Sequence, residues 1–237
     1  MQSAPLLIVQ HISHEGPGIL GDLLSGRGIR YDMVNLYACD RLPDPRGYQA
    51  VVTLGGPQSA NDRDPAMRRE LGNLEVVLAH DIPYFGICLG MQTLARAAGA
   101  DVYACDEKET GWFHTDHQPY GIELTFEGRR DPLFAGCDGR LRVFQLHGET
   151  VAPADGLVLL ARGSACSHQV IRAGTRAYGI QSHIELTRDM LAEWAVLDPD
   201  LKTIGRTKLL EEFDAFRRAY TLTGTTIFEN FLSLAGL

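Results

Sequence analysis

Short apolar runs bounded by turn residues recur along the first part of the chain, at Leu6 to Val9, Tyr31 to Leu36, Val51 to Leu54 and Tyr84 to Ile87. Each has the length of a buried strand, and stretches of helical spacing separate them. Pro17-Gly18 followed by Ile19, Leu20, Leu23 and Leu24 predicts a crossover helix, and Met67 to His80 predicts another, closed by Asp81-Ile82-Pro83. A further helix starts directly after Cys88 with Met91, Leu94 and Ala95 on one face, and Gly99 ends it. This alternation predicts an α/β fold with an open, mostly parallel sheet and helices on both faces. From Asp101 the runs shorten, at Ile122 to Phe126, Leu141 to Leu146, Leu157 to Leu160 and Ala177 to Gln181, which predicts a mixed, partly antiparallel second half. From Thr187 the pattern is helical, with Met190 to Leu197, Lys208 to Ala219 and Thr226 to Leu234 separated by short breaks. No repeat, linker or low-complexity segment intervenes. Residues 1–237 therefore read as one domain, with a core over about 1–187 and a C-terminal helical extension over about 188–237.

Composition narrows the function classes. A hydrophobic fraction of 45% with 22% charged residues is that of an ordinary globular chain. The formal charge of −8, with no basic stripe, argues against nucleic acid and anionic membrane as partners. Met1 to Gln10 has no basic leader, and no run approaches the roughly 20 apolar residues of a membrane span, so a cytoplasmic location is expected. Five scattered cysteines, Cys39, Cys88, Cys105, Cys137 and Cys166, contain no C-x-x-C pair, so neither a disulfide framework nor a metal site is predicted.

Only Cys88 has a context that asks for chemistry. In Phe85-Gly86-Ile87-Cys88-Leu89-Gly90-Met91-Gln92 an apolar strand runs into a thiol with glycine two residues before and two after. This is the nucleophile-elbow pattern with cysteine in place of serine. The sharp strand-to-helix turn needs small neighbours, and the helix N-terminus favours thiolate. A buried core cysteine beside packing glycines would look the same, so the surroundings decide. Leu54-Gly55-Gly56-Pro57 ends the preceding strand at the same sheet edge, where the N–H groups of Gly56 and Leu89 are the natural pair for a developing oxyanion. Alone, a Gly-Gly-Pro turn is a plain strand exit. In Tyr178-Gly179-Ile180-Gln181-Ser182-His183-Ile184-Glu185, extended backbone would set His183 and Glu185 on one face, so that Glu185 orients the imidazole while its other nitrogen serves Cys88.

Together these segments resemble the class I, triad-type glutamine amidotransferase family, whose hallmarks are a G-x-C-x-G elbow and a late H-P-E triplet. The resemblance extends to Lys108-Glu109-Thr110-Gly111-Trp112 and to Phe144-Gln145-Leu146-His147-Gly148-Glu149, which is similar to a segment of the glutaminase part of GMP synthase. It implies a flavodoxin-like sheet with extra C-terminal helices and a cofactor-free enzyme. Cys88 would attack the side-chain amide of glutamine, with Gly55, Gln92, His147 and the Gly56 backbone against the substrate. It also implies ammonia supplied to an acceptor, through a possible synthase partner subunit, because no S-G-G-x-D or G-x-x-x-x-G-K-[ST] nucleotide loop occurs here. The same triad would serve a γ-glutamyl peptidase or hydrolase, and a third reading is a non-catalytic binding relative. The chain departs from the family pattern at Ser182 and Ile184, beside the base, and at Leu146. Without the proline, a less rigid His-to-Glu spacing is expected.

Remaining candidates are weaker. His114, Asp116 and His117, and likewise Cys166 and His168, are close enough in sequence to raise a metal, yet a polar loop is the better account. Gln10, His11, His14 and Glu15 follow the first strand and fall at the carboxyl edge where ligands bind, so lining the acceptor side is one reading, but a solvated loop is expected.

Overall fold

The structure, a computed structural model, describes residues 5–38 and 41–237, so Cys39 lies outside the described residues. Strands β1 (Leu6–Gln10), β2 (Tyr31–Asn35), β3 (Ala50–Thr53) and β4 (Tyr84–Ile87) alternate with helices α1 (Gly18–Arg27), α2 (Pro65–Ala79) and α3 (Leu89–Ala97). There follow β5 (Val102–Gly111), β6 (Gly121–Leu124), β7 (Arg140–Arg142), β8 (Gln145–Val151), β9 (Leu157–Arg162), β10 (Val170–Ala173) and β11 (Ala177–Ile180). Helices α4 (Arg188–Leu197), α5 (Pro199–Ile204) and α6 (Arg206–Leu234) complete the chain.

Nine strands form an open sheet in the order β2-β1-β3-β4-β11-β10-β9-β6-β7, parallel from β2 to β11 and antiparallel beyond. This is the expected α/β class. The two-residue period of a strand divides β1 between the two faces. Leu6 and Ile8 pack with Leu20 of α1, Trp194 of α4 and Phe228 of α6, whereas Leu7 and Val9 pack with Leu74 and Val77 of α2. Burial on both faces explains why β1, β3 and β4 are nearly all apolar, whereas the edge strand β2 is largely exposed and carries Asp32 and Asn35. The chain runs from β1 outward to β2 and then back to β3 on the other side, so the crevice at the carboxyl ends of β1 and β3 is a topological switch point.

Helix starts are set locally. Asp64 accepts from the N–H groups of Ala66 and Met67, with Pro65 as first helical residue, which begins α2 ahead of the apolar pattern at Met67. Thr187 caps α4 through Met190 N–H.

Two expected elements are built differently. The run Leu141 to Leu146 is not one strand: the chain leaves the large sheet after β7 and begins a two-stranded antiparallel sheet, β8 with β5, at Gln145. Phe144, at the break, instead makes an isolated antiparallel bridge to His183. The two C-terminal helices are one, α6, continuous through Thr221 to Thr225. Gly224 costs helix propensity, yet a Cβ there would overlap the Ile184 carbonyl oxygen, so the glycine lets α6 seat directly on the segment carrying His183. Strands β5 and β10 and helix α5 had no clear sequence signal, since β5 is largely polar and exposed and α5 spans only six residues. Among the described residues no helix is long and apolar enough to cross a membrane.

Gly224→Val is expected to destabilise the protein by about 2 kcal/mol in urea unfolding, because the backbone contact cannot give way. An unchanged midpoint would show that α6 does not depend on this seat.

Candidate active site

Cys88 caps α3 with φ 52° and ψ −105°, a left-handed region that costs an L-residue on the order of 1–2 kcal/mol. The elbow is held by hydrogen bonds on both sides. Cys88 N–H donates to Ile180 O of β11 (2.8 Å), and its carbonyl accepts from Met91 N–H (3.0 Å) and Gln92 N–H (3.2 Å). The flanking glycines are steric necessities: a Cβ on Gly86 would overlap the Gly90 carbonyl, and one on Gly90 would overlap the Thr53 carbonyl. The sulfur is nearly buried, at the positive end of α3, with the Leu146 carbonyl 3.7 Å away.

His183 is buried beyond the end of β11, where pairing with Phe144 keeps the backbone extended: His183 N–H donates to Phe144 O (2.8 Å). Its Nδ1 lies 2.6 Å from Glu185 Oε1, so the two side chains do share a face. Glu185 Oε2 accepts from the N–H of Ile184 (2.9 Å). Proline at position 184 has no such proton, so this hydrogen bond is one that the departure from the family pattern makes available. Tyr220 of α6 closes the arrangement, its hydroxyl donating to His183 O (3.2 Å) and accepting from Leu186 N–H (3.0 Å). Trp194 of α4 stands edge-on to the imidazole at 5.1 Å. Burial by itself would lower the His183 pKa, but the Glu185 carboxylate and the neighbouring Cys88 sulfur outweigh it and hold the pKa well above the usual value. The site is thus poised to carry an imidazolium beside the sulfur.

The Gly55-Gly56 turn ends β3 across from the thiol. A Cβ on Gly55 would overlap the Glu15 carboxylate and stand 3.0 Å from His183 Cε1, while one on Gly56 would lie 2.5 Å from His11 Cβ. As the first residue of α3, Leu89 has an N–H that the helix does not use. Beneath the turn, His11 Nδ1 lies 3.1 Å from the carbonyl oxygens of Leu54 and Gly55, and Nε2 lies 2.8 Å from Glu70 Oε2. Burial works against a charged His11, but the Glu70 carboxylate prevails and raises its pKa, and both ring nitrogens face acceptor oxygens. Gln10 and His11 are buried and Glu15 Oε2 is shielded, so only part of the segment after β1, with Ser13 exposed and His14 and Glu15 half-buried, is the solvated loop expected: Gln10 Nε2 ties it to the carbonyls of Ser13 and Glu15, and Trp194 Nε1 to that of His14.

Gln92 and His147 also reach the cleft. Gln92 Nε2 donates to Glu149 O (3.1 Å) and Gln181 Oε1 (3.3 Å). His147 has Nε2 2.9 Å from Glu109 Oε2 and Nδ1 3.1 Å from Glu149 O, so both nitrogens are engaged within the β5–β8 sheet. Glu109, His147 and Cys166 bring ligand-type atoms within 4.8 Å of one another, a grouping that no local spacing reveals because each comes from a different part of the chain. There Glu109 is already bonded by His147 and by Gln169 Nε2 (2.8 Å). His114 pairs with Ser164 and Asp116 closes a turn onto Gln118, while Cys166 approaches Thr150 and the carbonyl, not the ring, of His168.

These groups line a cleft of about 450 Å³ at the carboxyl edge, with Glu15, Gly56, Cys88, Gln92, Glu149 and His183 around it. A cysteine elbow on an open α/β sheet, with a buried His–Glu pair brought from the far side of the parallel strands, defines the architecture. The chain belongs to the class I glutamine amidotransferase family: the family model described as Glutamine amidotransferase class-I matches residues 22–190. It is 32% identical over 187 residues to the glutamine amidotransferase-like protein YfeJ of Salmonella typhimurium, covering 76% of this chain and 74% of that one. It is 30% identical over 154 residues to the glutamine-hydrolysing GMP synthase of Porphyromonas gingivalis, a match to 64% of this chain but only 28% of that protein. A crystal structure of a glutamine amidotransferase from Thermotoga maritima superposes with a TM-score of 0.86 at 26% identity, covering 98% of this chain and 99% of that one.

Burial pushes the Glu15 carboxyl from its ordinary 4.5 up to about 7. The folded state therefore holds this proton more tightly than the unfolded chain: its contribution to stability is fully present below 4.5 and is lost as pH rises through 7. Glu15→Gln is expected to match the parent near pH 4.5 and to exceed it by up to ~3 kcal/mol at pH 8 in urea unfolding. Equal stabilities at both pH values would contradict a buried carboxyl here.

Proposed function

We propose that the chain hydrolyses the side-chain amide of glutamine through a Cys88 thioester and supplies the ammonia to an acceptor. The observation that carries this reading is the alignment of Cys88 at the elbow with a His183 imidazole fixed by Glu185 2.6 Å from Nδ1, in an open cleft. The Cys88 thiolate attacks the amide carbon, and negative charge builds on its oxygen. The N–H groups of Gly56 and Leu89 meet that charge and stabilise it by several kcal/mol. As the tetrahedral species collapses, the C–N bond breaks, the second nitrogen of His183 hands its proton to the departing nitrogen, and ammonia leaves. Water, deprotonated by His183, then attacks the thioester, releasing glutamate and restoring the thiolate–imidazolium pair. Glu185 keeps its negative charge throughout and fixes the imidazole tautomer and direction. Gly55, Gln92 and His147 shape the glutamine side of the cleft, the last through the wall it builds with Glu109.

The use of the ammonia is the finer part of the proposal. Family membership and the glutamine-hydrolysing name of the GMP synthases support glutamine as donor. The chain spans about a quarter of the length of those synthases, and carries no nucleotide-loop sequence of its own. A synthase subunit is proposed as the acceptor-bearing partner.

Ammonia release from glutamine by the isolated chain tests the reaction. Cys88→Ser is expected to lose at least about 10⁴-fold in kcat, and Glu185→Gln about 10²- to 10⁴-fold with KM little changed. Turnover of γ-glutamyl peptides with none of glutamine would replace the amidotransferase reading with a γ-glutamyl hydrolase. A wild type that neither releases ammonia nor is labelled at Cys88 by a glutamine-like electrophile would leave only a binding role.

A further inference from the structure

Glu15 has no task in the chemistry above, yet it stands at the centre of the site. Its carboxylate lies against Gly55, whose missing Cβ would stand 3.0 Å from His183 Cε1 and 3.5 Å from Cys88 Cβ. Oε2 is shielded from solvent and has no hydrogen-bond partner among the described residues. The backbone that presents it is pinned, since Glu15 N–H donates to Ile12 O (3.1 Å) and Gln10 and Trp194 tie down the flanking carbonyls.

The charged groups around Glu15 act on it in opposite senses, the two imidazoles favouring its carboxylate and the two carboxylates opposing it, and none of them hydrogen-bonds Oε2. They are His183, Glu185, His11 and Asp198. Each imidazole is already committed to a carboxylate, His183 to Glu185 and His11 to Glu70. Asp198, which caps α5 through Leu201 N–H, lines the same cleft and adds negative charge. Lys108 also lines the cleft but is held by Asp200 at 2.9 Å. A carboxylate oxygen shielded from water without a donor, like Oε2 of the partly exposed Glu15, is costly, and it persists in a folded protein where a ligand supplies what the chain withholds. The complement to an acidic end beside the reacting sulfur is a small cation rich in N–H donors.

We propose that Glu15, backed by Asp198, forms a binding site for a primary ammonium cation on the His183 side of Cys88. Two sources share this chemistry: ammonium formed from the departing nitrogen, and an amine that leaves or attacks the acyl carbon. Only the assignment to a source rests on the glutamine reading; the site itself does not. With its carboxyl pushed up to about 7 by burial, Glu15 is part neutral at pH 7. The neutral acid can pass its proton to ammonia, the O–H bond breaking as the fourth N–H bond forms, and the carboxylate can receive an alkylammonium ion directly.

The test is the rate of Cys88 alkylation by iodoacetamide, read at the Cys88 peptide by mass spectrometry, with methylammonium chloride titrated against tetramethylammonium chloride at constant ionic strength. Methylammonium is expected to slow alkylation saturably and tetramethylammonium, which has no N–H, is not. Glu15→Gln is expected to raise the half-protecting concentration at least tenfold, and Asp198→Asn, which keeps the helix cap, to raise it less. Ammonium chloride as effective as methylammonium points to released ammonia, and stronger protection by longer primary amines points to an amine substrate. Equal effects of methylammonium and tetramethylammonium on the wild type, or protection undiminished in Glu15→Gln, would overturn the proposal. Because alkylation needs no glutamine, protection without ammonia release removes the glutaminase reading alone, and ammonia release without protection removes the cation site alone.

Discussion

Everything in the site hangs on how closely the first turn of α3 approaches the ends of β3 and β4. Gly86 abuts the Gly90 carbonyl and Gly90 abuts that of Thr53, so the chain can reverse from strand to helix within one residue. That residue is Cys88, held at φ 52° by main-chain bonds to Ile180, Met91 and Gln92. The strain is local, and the sheet that imposes it is large. Any added atom at either glycine would widen the turn, move the sulfur out of line with His183, and separate the Leu89 amide from the turn at Gly56.

His183 is fixed by a different kind of constraint. His183 lies past the last ladder bond of β11, where a chain would ordinarily wander. Phe144 supplies the missing strand partner, Tyr220 bonds to both sides of the segment, and Ile184 lends its N–H to Glu185. The helices α4 and α6 therefore act on the site through Trp194 and Tyr220 as well as filling the core. Helix α1 joins in, since Ile19 N–H donates to Glu185 O (2.8 Å) and Gly18 leaves room for that carbonyl. Buried polar groups bonded around it give the imidazole one orientation.

The apolar runs from Leu6 to Ile87 were legible because a buried parallel strand must be apolar on both faces, and Tyr84–Ile87 appears with its expected bounds. The run Leu141 to Leu146 misled because its apolar pattern does not record that Phe144 leaves one sheet to pair with His183. The break expected at Thr221 to Thr225 misled for the opposite reason: threonines and a glycine weaken a helix in isolation, and packing against Ile184 overrides them.

What the residues determined by themselves was short-range: an elbow around Cys88, a glycine turn at Gly55-Gly56, and a His183–Glu185 spacing that extended backbone brings to one face. Steric and hydrogen-bonding rules that act within a few residues suffice for these. Only the tertiary structure decided that Tyr220, Trp194 and Phe144 hold His183, that His11 and Glu70 support the glycine turn, and that Glu15 Oε2 stands shielded and without a hydrogen-bond partner near the thiol. These depend on burial and on contacts between residues up to 180 positions apart. Desolvation and long-range pairing arise only when the sheet and its helices assemble, and no local pattern carries them.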